Sequence, residues 1–307
     1  MASTHDYEID SRNDNIQIYI DGQFFPRADA KVSVMDSGYL LGDGVWEGIR
    51  LYNNHLIHLE KHLERLYEGA EAIQMDIGVS KSEMKSALEK TLKKNEMISD
   101  VHIRLIVSRG IKSTPYQHPK VTIGHPTIVI IPEHKKPSPR LKIEGITLGT
   151  VSTIRNNLTQ DPRINSLSKH NCIAACIEAD KMGVDEGLML DPEGYVSTCN
   201  STNFFMITSD EVWTSNGQHC LNGVTRQSVI DICKKKQVPI KEKQFSINEV
   251  HKADEVFVTG TFAGIIPVRF VDGNTIGNGT RGPLTEKLQT WYESCLLYTS
   301  DAADDTS

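Results

Sequence analysis

The chain has no run of about 18 apolar residues, so its sequence predicts no helix that spans a membrane. It also has no excess of positive charge, because the formal net charge of its 307 residues is −7. That balance leaves no basic surface of the kind that nucleic acid requires. Residues 1–14 are polar and acidic, which does not fit a secretory signal. We therefore expect a cytoplasmic protein that binds neither nucleic acid nor membrane.

Cysteine is scarce, and its spacing does not predict a metal site. Two of the six cysteines lie one helical turn apart, but a lone CxxxC is a weak zinc signal. Free thiols in a reducing compartment are the simpler interpretation, and we predict no metal. The six are Cys172, Cys176, Cys199, Cys220, Cys233 and Cys295. The chain also lacks a Walker motif and a dinucleotide fingerprint, so a phosphate would have to bind at other turns.

The composition is that of a globular protein with a sizeable core, at 38% hydrophobic and 24% charged residues. Its length allows two domains, and the proline-rich stretch at 132–141 is the best candidate for a linker between residues 1–131 and 142–294. Apolar stripes predict a helix from Leu59 to Ile73, and the pair Ser80 and Glu83 predicts a capped second helix. Short strands are predicted at 16–20, 23–25, 32–34, 45–51, 101–108, 127–131, 187–190, 204–207 and 254–259.

The stretch from Gln160 to Phe205 is the most informative part of the chain. A helix is predicted from Ser166, with an apolar stripe of Ile173, Ala174, Ile177 and Met182, and with Gly183 at its end. Two short strands then flank a polar cluster at 199–203. Lys169 would lie in the first turns of the helix, where the dipole does not favour a cation. Most helical lysines are solvated, but this position suggests a function.

Three further places suggest binding of an anion. The sequence Asn222–Arg226 leads into a helix predicted at Gln227–Lys236, and Gly260–Gly264 follows a buried strand. Backbone amides at such glycine-containing turns can bind phosphate, although each turn alone is more often an ordinary one. Arg104 and Arg109 lie in or beside a strand, where a half-buried arginine usually meets a carboxylate or another anion.

The last residues, 295–307, share no periodicity with the helix predicted to end near Ser294. They are similar to the translation of a sequencing adapter read through into the frame. We therefore expect that the gene was assembled from environmental DNA and that the natural C-terminus of the protein is lost. The fold is predicted without this tail.

Six blocks in this order resemble the class IV aminotransferases of fold type IV, which include branched-chain and D-amino-acid aminotransferases. The resemblance covers about residues 16–292. It implies an α+β fold of two domains, like that of D-amino-acid aminotransferase. The blocks are GDGVWEGIRLY (42–52), HIRLIVSRG (102–110), DEGLMLDPEGYV (185–196), LNGVTRQSVID (221–231), ADEVFVTGTFAGIIPV (253–268) and VDGNTIGNGTRGP (271–283).

The resemblance implies that pyridoxal 5′-phosphate (PLP) is the cofactor. Arg50, Val224, Thr225 and Thr261 match residues that hold its phosphate in the family. We expect Gly223 and Gly260, beside these residues, and Thr198 and Asn200, in the polar cluster, to complete the cofactor site.

Two positions depart from the family. The resemblance places Asn165 where the family has its Schiff-base lysine, and Thr198 where it has the glutamate that pairs with the pyridine nitrogen. Lys169 lies four residues beyond Asn165, on the same face of the predicted helix. We expect Lys169 to supply the missing amine and to act as the catalytic base.

The resemblance leaves three functions open. The favoured one is transfer of an amino group from an amino acid or amine to a 2-oxo acid. A neutral partner at the pyridine nitrogen could instead favour elimination, and loss of the lysine could leave a protein that binds PLP without turnover. Tyr39, Trp46, Arg104 and Arg109 are the candidates for substrate binding, and the family implies a homodimer. Nothing in the sequence decides between L- and D-amino acids.

Overall fold

The computed structural model describes residues 8–158 and 160–298. Its internal contacts divide the chain into two compact units. The N-terminal unit comprises Glu8–Lys136 and the short segment Ile164–Lys169, and the C-terminal unit comprises Pro137–Arg163 and the described residues after Lys169. No helix in these described ranges is long and apolar enough to cross a membrane.

The N-terminal unit is a six-stranded antiparallel sheet with helices on one face. The strand order is β2-β1-β6-β5-β3-β4. In chain order the elements are β1 (Gln17–Ile20), β2 (Gln23–Pro26), α1 (Ser37–Leu41), β3 (Gly44–Tyr52), β4 (His55–Leu56), α2 (Leu59–Ala72), α3 (Lys81–Lys94), β5 (Val101–Ser108) and β6 (Thr127–His134), with 3₁₀ turns at Ser11–Asn15 and Pro119–Val121.

Alternation along the central strands explains why one face of this sheet is a core. Val101, Ile103, Leu105 and Val107 of β5 are fully buried, whereas the residues between them are mostly half-buried on the other face. The buried face packs with the apolar stripes of α2 and α3. The predicted capping box of α3 is confirmed, since Ser80 Oγ accepts from the Glu83 amide and Glu83 accepts from the Ser80 amide.

Two predictions in this unit are wrong. Residues 132–134, predicted as linker, form the end of β6. Pro132 pairs with Ile103 of β5, but it is not one of the two β6 residues that pair with β1. A proline is tolerated in a strand where no neighbour needs its missing N–H. Val32–Val34, predicted as a strand, pairs with no strand of the described chain, and both valines are exposed.

The C-terminal unit is a nine-stranded mixed sheet with the path β12-β11-β10-β13-β14-β7-β8-β9, and β15 pairs with β14. The β11–β12, β14–β7 and β7–β8 pairs are parallel. Its elements are α4 (Leu141–Glu144), β7 (Ile146–Thr150), α5 (His170–Met182), β8 (Glu186–Leu190), β9 (Val196–Cys199), β10 (Asn203–Thr208), β11 (Glu211–Thr214), α6 (Val224–Lys235), β12 (Ile240–Glu242), α7 (Ile247–Val250), β13 (Glu255–Gly260), β14 (Gly264–Val271), β15 (Asn274–Thr275) and α8 (Pro283–Tyr298).

Helix α5 differs from its prediction in both its start and its buried face. It begins at His170 rather than Ser166. The predicted stripe is about half exposed at Ile173 (52%) and Ile177 (50%), and the buried positions are Ala175 and Ala179. The reason is close packing of small residues, because a Cβ on Gly187 of β8 would lie 3.0 Å from the Ala175 carbonyl oxygen.

Helix α8 is longer than predicted. It continues through Tyr298 instead of ending near Ser294, and Leu296 is buried. The first residues of the predicted read-through tail are therefore helical, and residues 299–307 lie outside the described part of the chain.

Candidate active site

The face of the N-terminal sheet opposite its helices carries three of the predicted site residues. Trp46 and Arg50 alternate with buried residues along β3, so both side chains project away from the helices. Gly48 lies between them and pairs directly with Arg104 of β5. Directly paired residues in an antiparallel sheet project to the same face. Strand register thus brings Trp46, Arg50 and Arg104 to one surface.

The guanidinium of Arg104 lies over the indole of Trp46. Its guanidinium carbon is 3.8 Å from the ring centroid. Arg104 pairs with Gly48, so Trp46 is its diagonal neighbour on the same face, and a Cβ on Gly48 would lie 3.1 Å from His102 Nε2. Burial lowers the pKa of Arg104 from its ordinary value, with Glu133 opposing the shift, but an arginine remains charged. The result is a fixed, half-buried cation on an aromatic platform.

The segment Ile164–Lys169 is attached to the edge of this sheet. The Trp46 amide donates to the Asn165 carbonyl (3.0 Å), the Leu167 amide donates to the Gly44 carbonyl (2.9 Å), and Ser166 bridges Val45. The Trp46 indole N–H also donates to the Ser166 carbonyl (3.1 Å). The backbone at 165–167 is therefore extended, which explains why α5 starts later than predicted.

Lys169 does lie beside Asn165, but for a different reason than helical periodicity. The Lys169 Nζ donates to Asn165 Oδ1 at 3.0 Å, and it is 5.2 Å from the centroid of the Trp46 ring. Asn165 is itself buried. A buried amide thus orients the amine, and the same indole contacts the Lys169 and Arg104 cations.

Arg50 has an unsatisfied donor suited to an anion. Its Nε is buried and has no hydrogen-bond partner among the described residues, and its guanidinium carbon lies 5.0 Å from the ring centroid of Tyr52. A buried, unpaired guanidinium N–H is costly unless a ligand accepts from it. This observation agrees with the predicted phosphate contact.

The other two candidates for the substrate carboxylate, Arg109 and Tyr39, have different surroundings. Arg109 forms a bidentate ion pair with Asp43 (2.7 and 3.1 Å) and donates to the carbonyls of Ile73 and Gln74. Four of its five N–H groups are therefore committed to the fold. Tyr39, on α1, is 72% exposed. The Arg104 guanidinium instead lies over the Trp46 ring.

In the C-terminal unit, the N-terminus of α6 offers backbone donors. Gly223 is the N-cap residue and provides no side-chain cap, and Thr225 in the first turn is buried. A side chain at Gly223 would lie 2.2 Å from Asn203 Oδ1, which explains the glycine. Uncapped N–H groups and the positive end of the helix dipole favour a phosphate here.

The second predicted turn follows β13, at Gly260 and Thr261. The Thr259 hydroxyl just before it is buried without a hydrogen-bond partner in the described chain. Thr259 was overlooked in the sequence, because a threonine inside an apolar strand is usually a packing residue. Gly260, half-buried Thr261 and this unpaired hydroxyl provide polar groups that a phosphate could engage.

The polar cluster at 198–203 is built around a carboxylate that was also overlooked in the sequence. Glu186, only 2% exposed, accepts from the Ser201 and Thr202 hydroxyls at 2.8 Å each. Asn200 Oδ1 accepts from the Gly187 amide, and its Nδ2 contacts Cys176 Sγ. Thr198 Oγ1 donates to the Thr202 carbonyl (2.8 Å). A glutamate directly after Asp185, opening a short buried strand, was the available signal.

Comparison with known proteins agrees with this geometry. Residues 44–271 match the family described as Amino-transferase class IV. The chain is 38% identical to branched-chain-amino-acid aminotransferase-like protein 2 of Arabidopsis thaliana over 92% of this chain and 50% of that protein. It is 31% identical to the D-alanine aminotransferase of Listeria monocytogenes serotype 1/2a (strain 10403S), over 90% and 95%. The chain thus spans about half the length of the Arabidopsis relative.

The fold has solved counterparts. The branched-chain aminotransferase of the thermophilic archaeon Thermoproteus uzoniensis, solved with norvaline, superposes with a TM-score of 0.84 at 29% identity. The superposition covers 94% of this chain and 96% of the other. The two sheets, with helix and strand mixed, thus match the fold of fold-type IV aminotransferases. The chain belongs to the class IV aminotransferases.

Proposed function

We propose that this protein is a PLP-dependent aminotransferase that moves an amino group from an amino acid to a 2-oxo acid, with Lys169 as its amine. The observation that carries the proposal is the Lys169 amine, held 3.0 Å from the buried Asn165 amide oxygen in a chain of this family. Family membership does not favour the elimination and non-catalytic alternatives.

The residues present fit the cofactor in their donor chemistry. PLP carries a phosphate, and the chain has an unpaired buried donor at Arg50, uncapped amides at Val224 and Thr225, and hydroxyls at Thr259 and Thr261. Arg50, Gly223 to Thr225, and Gly260 with Thr261 would hold the phosphate, while Thr198 and Asn200 would hold the ring. When bound, PLP supplies an aldehyde for covalent capture of amines and an electron sink.

Lys169 would bind the cofactor and move a proton at its Nζ. For that role the amine must be neutral for part of the time. The face of an indole stabilises an ammonium, but the fixed charge of Arg104 on the same ring opposes a second positive charge. Asn165 can accept a hydrogen bond from either form of the amine, and therefore fixes its position without adding charge.

Arg104 would bind the carboxylate of the substrate. A guanidinium pairs with a carboxylate in a bidentate geometry, and its contact with the Trp46 ring restricts the movement of the Arg104 side chain. The donors of Arg109 are occupied by Asp43 and two carbonyls, so we assign it to the fold. The names of the two relatives give two candidate classes of substrate, branched-chain amino acids and D-alanine.

The test is substitution of three residues, with two readouts. Lys169→Ala is expected to abolish the borohydride-fixed adduct with the cofactor and to lower amino transfer by at least about a hundredfold. Asn165→Ala should keep the adduct and lose roughly tenfold in rate, the scale of one charged hydrogen bond. Lys181→Ala, an exposed lysine at the end of α5, is the matched control and should change neither.

If the Lys169→Ala protein keeps both its adduct and its turnover, Lys169 is not the reactive amine. Mass mapping of the fixed adduct would then identify the lysine that is. The panel of amino donors should include L-valine, L-leucine and D-alanine, since the relatives divide between these classes.

We propose that the protein is a homodimer. Two segments of the N-terminal unit, residues 32–41 and 111–123, are joined by a hydrogen bond from the Lys112 amide to the Met35 carbonyl (2.9 Å). Both segments expose apolar side chains that suit a partner surface. The exposed side chains are Val32, Val34, Tyr39, Leu41, Ile111, Tyr116 and Ile123. Sedimentation equilibrium at micromolar concentration is expected to give a dimer, and a monomer there would contradict the proposal.

We also propose a cytoplasmic location. All six cysteines are free thiols, as expected in a reducing compartment. Fractionation of the source cells, with an antibody against the protein, is the direct measurement.

A further inference from the structure

The hydroxyl of Thr198 has a fixed direction. Thr198 Oγ1 lies 2.8 Å from the Thr202 carbonyl oxygen, and the Thr198 side chain is buried. A carbonyl has no hydrogen to donate, so the hydroxyl must be the donor. A threonine hydroxyl has one hydrogen and two lone pairs. With that hydrogen used, Thr198 can only accept a further hydrogen bond.

The acceptor of that hydrogen is itself held in place. The Thr202 carbonyl also receives the Cys199 amide (2.9 Å), which closes the turn from 198 to 202. The Thr202 hydroxyl donates to Glu186 Oε2, and the neighbouring Ser201 hydroxyl donates to Glu186 Oε1. A buried carboxylate therefore anchors both residues at the end of the turn and, through it, the direction of the Thr198 hydroxyl.

The surroundings of Thr198 also include a buried acidic side chain. Glu186 accepts both of these hydroxyl hydrogen bonds, one at each carboxyl oxygen. Burial first, and then the charge of Glu186, raise the pKa of the Cys199 thiol next to Thr198. The replacement of the family glutamate by a threonine thus leaves a carboxylate in the same cluster.

We infer that Thr198 presents only an acceptor to the pyridine nitrogen of the cofactor, so that the chain binds this nitrogen in its protonated, N–H form. The inference rests on the proposed function and on the match of Thr198 to the family's glutamate. An unprotonated nitrogen would place two acceptors against each other. Glu186 acts through Thr202 and is a positioning residue.

This assignment decides what the replacement does to the chemistry. A protonated pyridine nitrogen keeps the ring a strong electron sink, which transamination requires. The threonine therefore preserves the reaction of the class, and does not move it toward elimination. The family's direct ion pair becomes a hydrogen bond from the pyridinium N–H to a neutral hydroxyl, with a carboxylate in the same cluster.

The experiment measures the nitrogen directly. Apoprotein is reconstituted with PLP labelled with ¹⁵N in the ring, and the ¹⁵N chemical shift is recorded near neutral pH. The wild-type protein and Thr198→Ser, which keeps the hydroxyl, are expected to show the pyridinium shift. Thr198→Glu should show it too. Thr198→Val, of the same shape without an acceptor, should show the shift of neutral pyridine.

A neutral-pyridine shift in the wild type would overturn the inference, as would a pyridinium shift that persists in Thr198→Val. The positioning role is tested by the pH at which the nitrogen titrates, which should fall in Thr202→Val and in Glu186→Gln. Thr202→Val keeps the carbonyl and removes the link to Glu186, so it remains informative if the buried Glu186 variant does not fold. Unchanged titration in Thr202→Val would remove Glu186 from the proposal.

Cofactor stoichiometry separates failure of the inference from failure of the proposed function. Retention of PLP with a neutral nitrogen contradicts the inference and leaves the proposed function standing. Failure of the wild-type apoprotein to retain PLP overturns the proposed function and the inference together.

Discussion

The candidate site residues of the two units differ in their chemistry. The N-terminal unit offers cations on long side chains, with Arg50 and Arg104 on a sheet face and Lys169 on the segment attached to its edge. The C-terminal unit offers neutral donors and hydroxyls on tight turns, with one buried carboxylate at Glu186. A long charged side chain needs a contact that holds it in place, and the Trp46 ring provides that contact for Arg104 and Lys169. A backbone amide is held in place by the fold itself.

The largest expected effect is on the stability of the N-terminal unit. Glu47, fully buried on β3, accepts from His62 Nδ1 (2.7 Å) and from Arg65 Nε and Nη2 (2.8 and 2.7 Å). Glu47→Gln removes the charge that this network surrounds, and should lower the free energy of unfolding by about 3–5 kcal/mol in a urea titration. Glu60→Gln breaks only an exposed pair with Lys85 and should cost under about 1 kcal/mol. Equal losses in the two variants would contradict the role of the buried network.

The same variant has a pH signature. Burial alone would raise the pKa of Glu47, but the charge and hydrogen bonds of Arg65 and His62 outweigh it and hold the pKa below its ordinary value. A depressed carboxyl pKa contributes stability above the ordinary value, and that stability is lost as the pH falls through the lower, folded-state value. Wild type should therefore lose more unfolding free energy on acidification than Glu47→Gln does.

Substitutions of Arg104 and Arg109 test which of the two arginines binds the substrate carboxylate. Arg104→Gln should lower kcat/KM for the amino donor by roughly 10- to 100-fold, mainly through KM, because one charged contact to the carboxylate is lost. Arg109→Gln should lower the melting temperature with the donor KM unchanged, since its contacts are with Asp43 and two carbonyls. A reversed pattern would exchange the two assignments.

Arg50 tests the cation side of the phosphate site. Arg50→Ala should weaken PLP retention by roughly 1.5–3 kcal/mol, the scale of a hydrogen bond to a charged group. Dialysis of the holoenzyme, followed by absorbance of the released cofactor, measures the effect. Arg12→Ala, whose side chain is exposed and pairs with Asp10, is the control. Unchanged retention in Arg50→Ala would remove Arg50 from the site.

The smallest effect is expected from the platform itself. Trp46→Phe keeps a six-membered aromatic ring and removes the five-membered ring of the indole, with the N–H that donates to the Ser166 carbonyl. We expect a loss of about 1 kcal/mol, seen as a few-fold lower kcat with nearly unchanged cofactor retention. Trp291→Phe is the matched control, because Trp291 also contacts a lysine, at 5.5 Å, far along the chain in α8. Equal effects of the two changes would show that the Ser166 contact is not specific.

Strand positions could be predicted closely, because alternation and turn residues are local signals. The range of β5 matches its prediction at both ends, and the hairpin turn at Asp21 and Gly22 has the positive φ of both residues that its sequence indicates. The start of α5 could not be predicted, since the hydrogen bonds of Trp46 and Gly44 override the helical preference of 166–169. Those partners lie about 120 residues away in sequence.

The candidate site was predictable only as far as family motifs reach. Glu186 and Thr259 escaped because each resembles a residue of an ordinary strand, and only tertiary contacts show that they are buried polar groups. Arg109 was a candidate for substrate binding because only tertiary contacts show that its donors are already used. Its sequence context does not reveal that Asp43, some sixty residues earlier, already occupies it.

The assignment of Ile164–Lys169 to the N-terminal unit has a practical consequence for recombining enzymes of this class. A gene fragment ending at Lys136 would omit the six residues that pair with the first half of β3, and with them the proposed amine. A chimera made at that single junction would combine the Trp46 of one parent with the Lys169 of the other. Exchanging the unit intact requires three crossovers, after residues 136, 163 and 169.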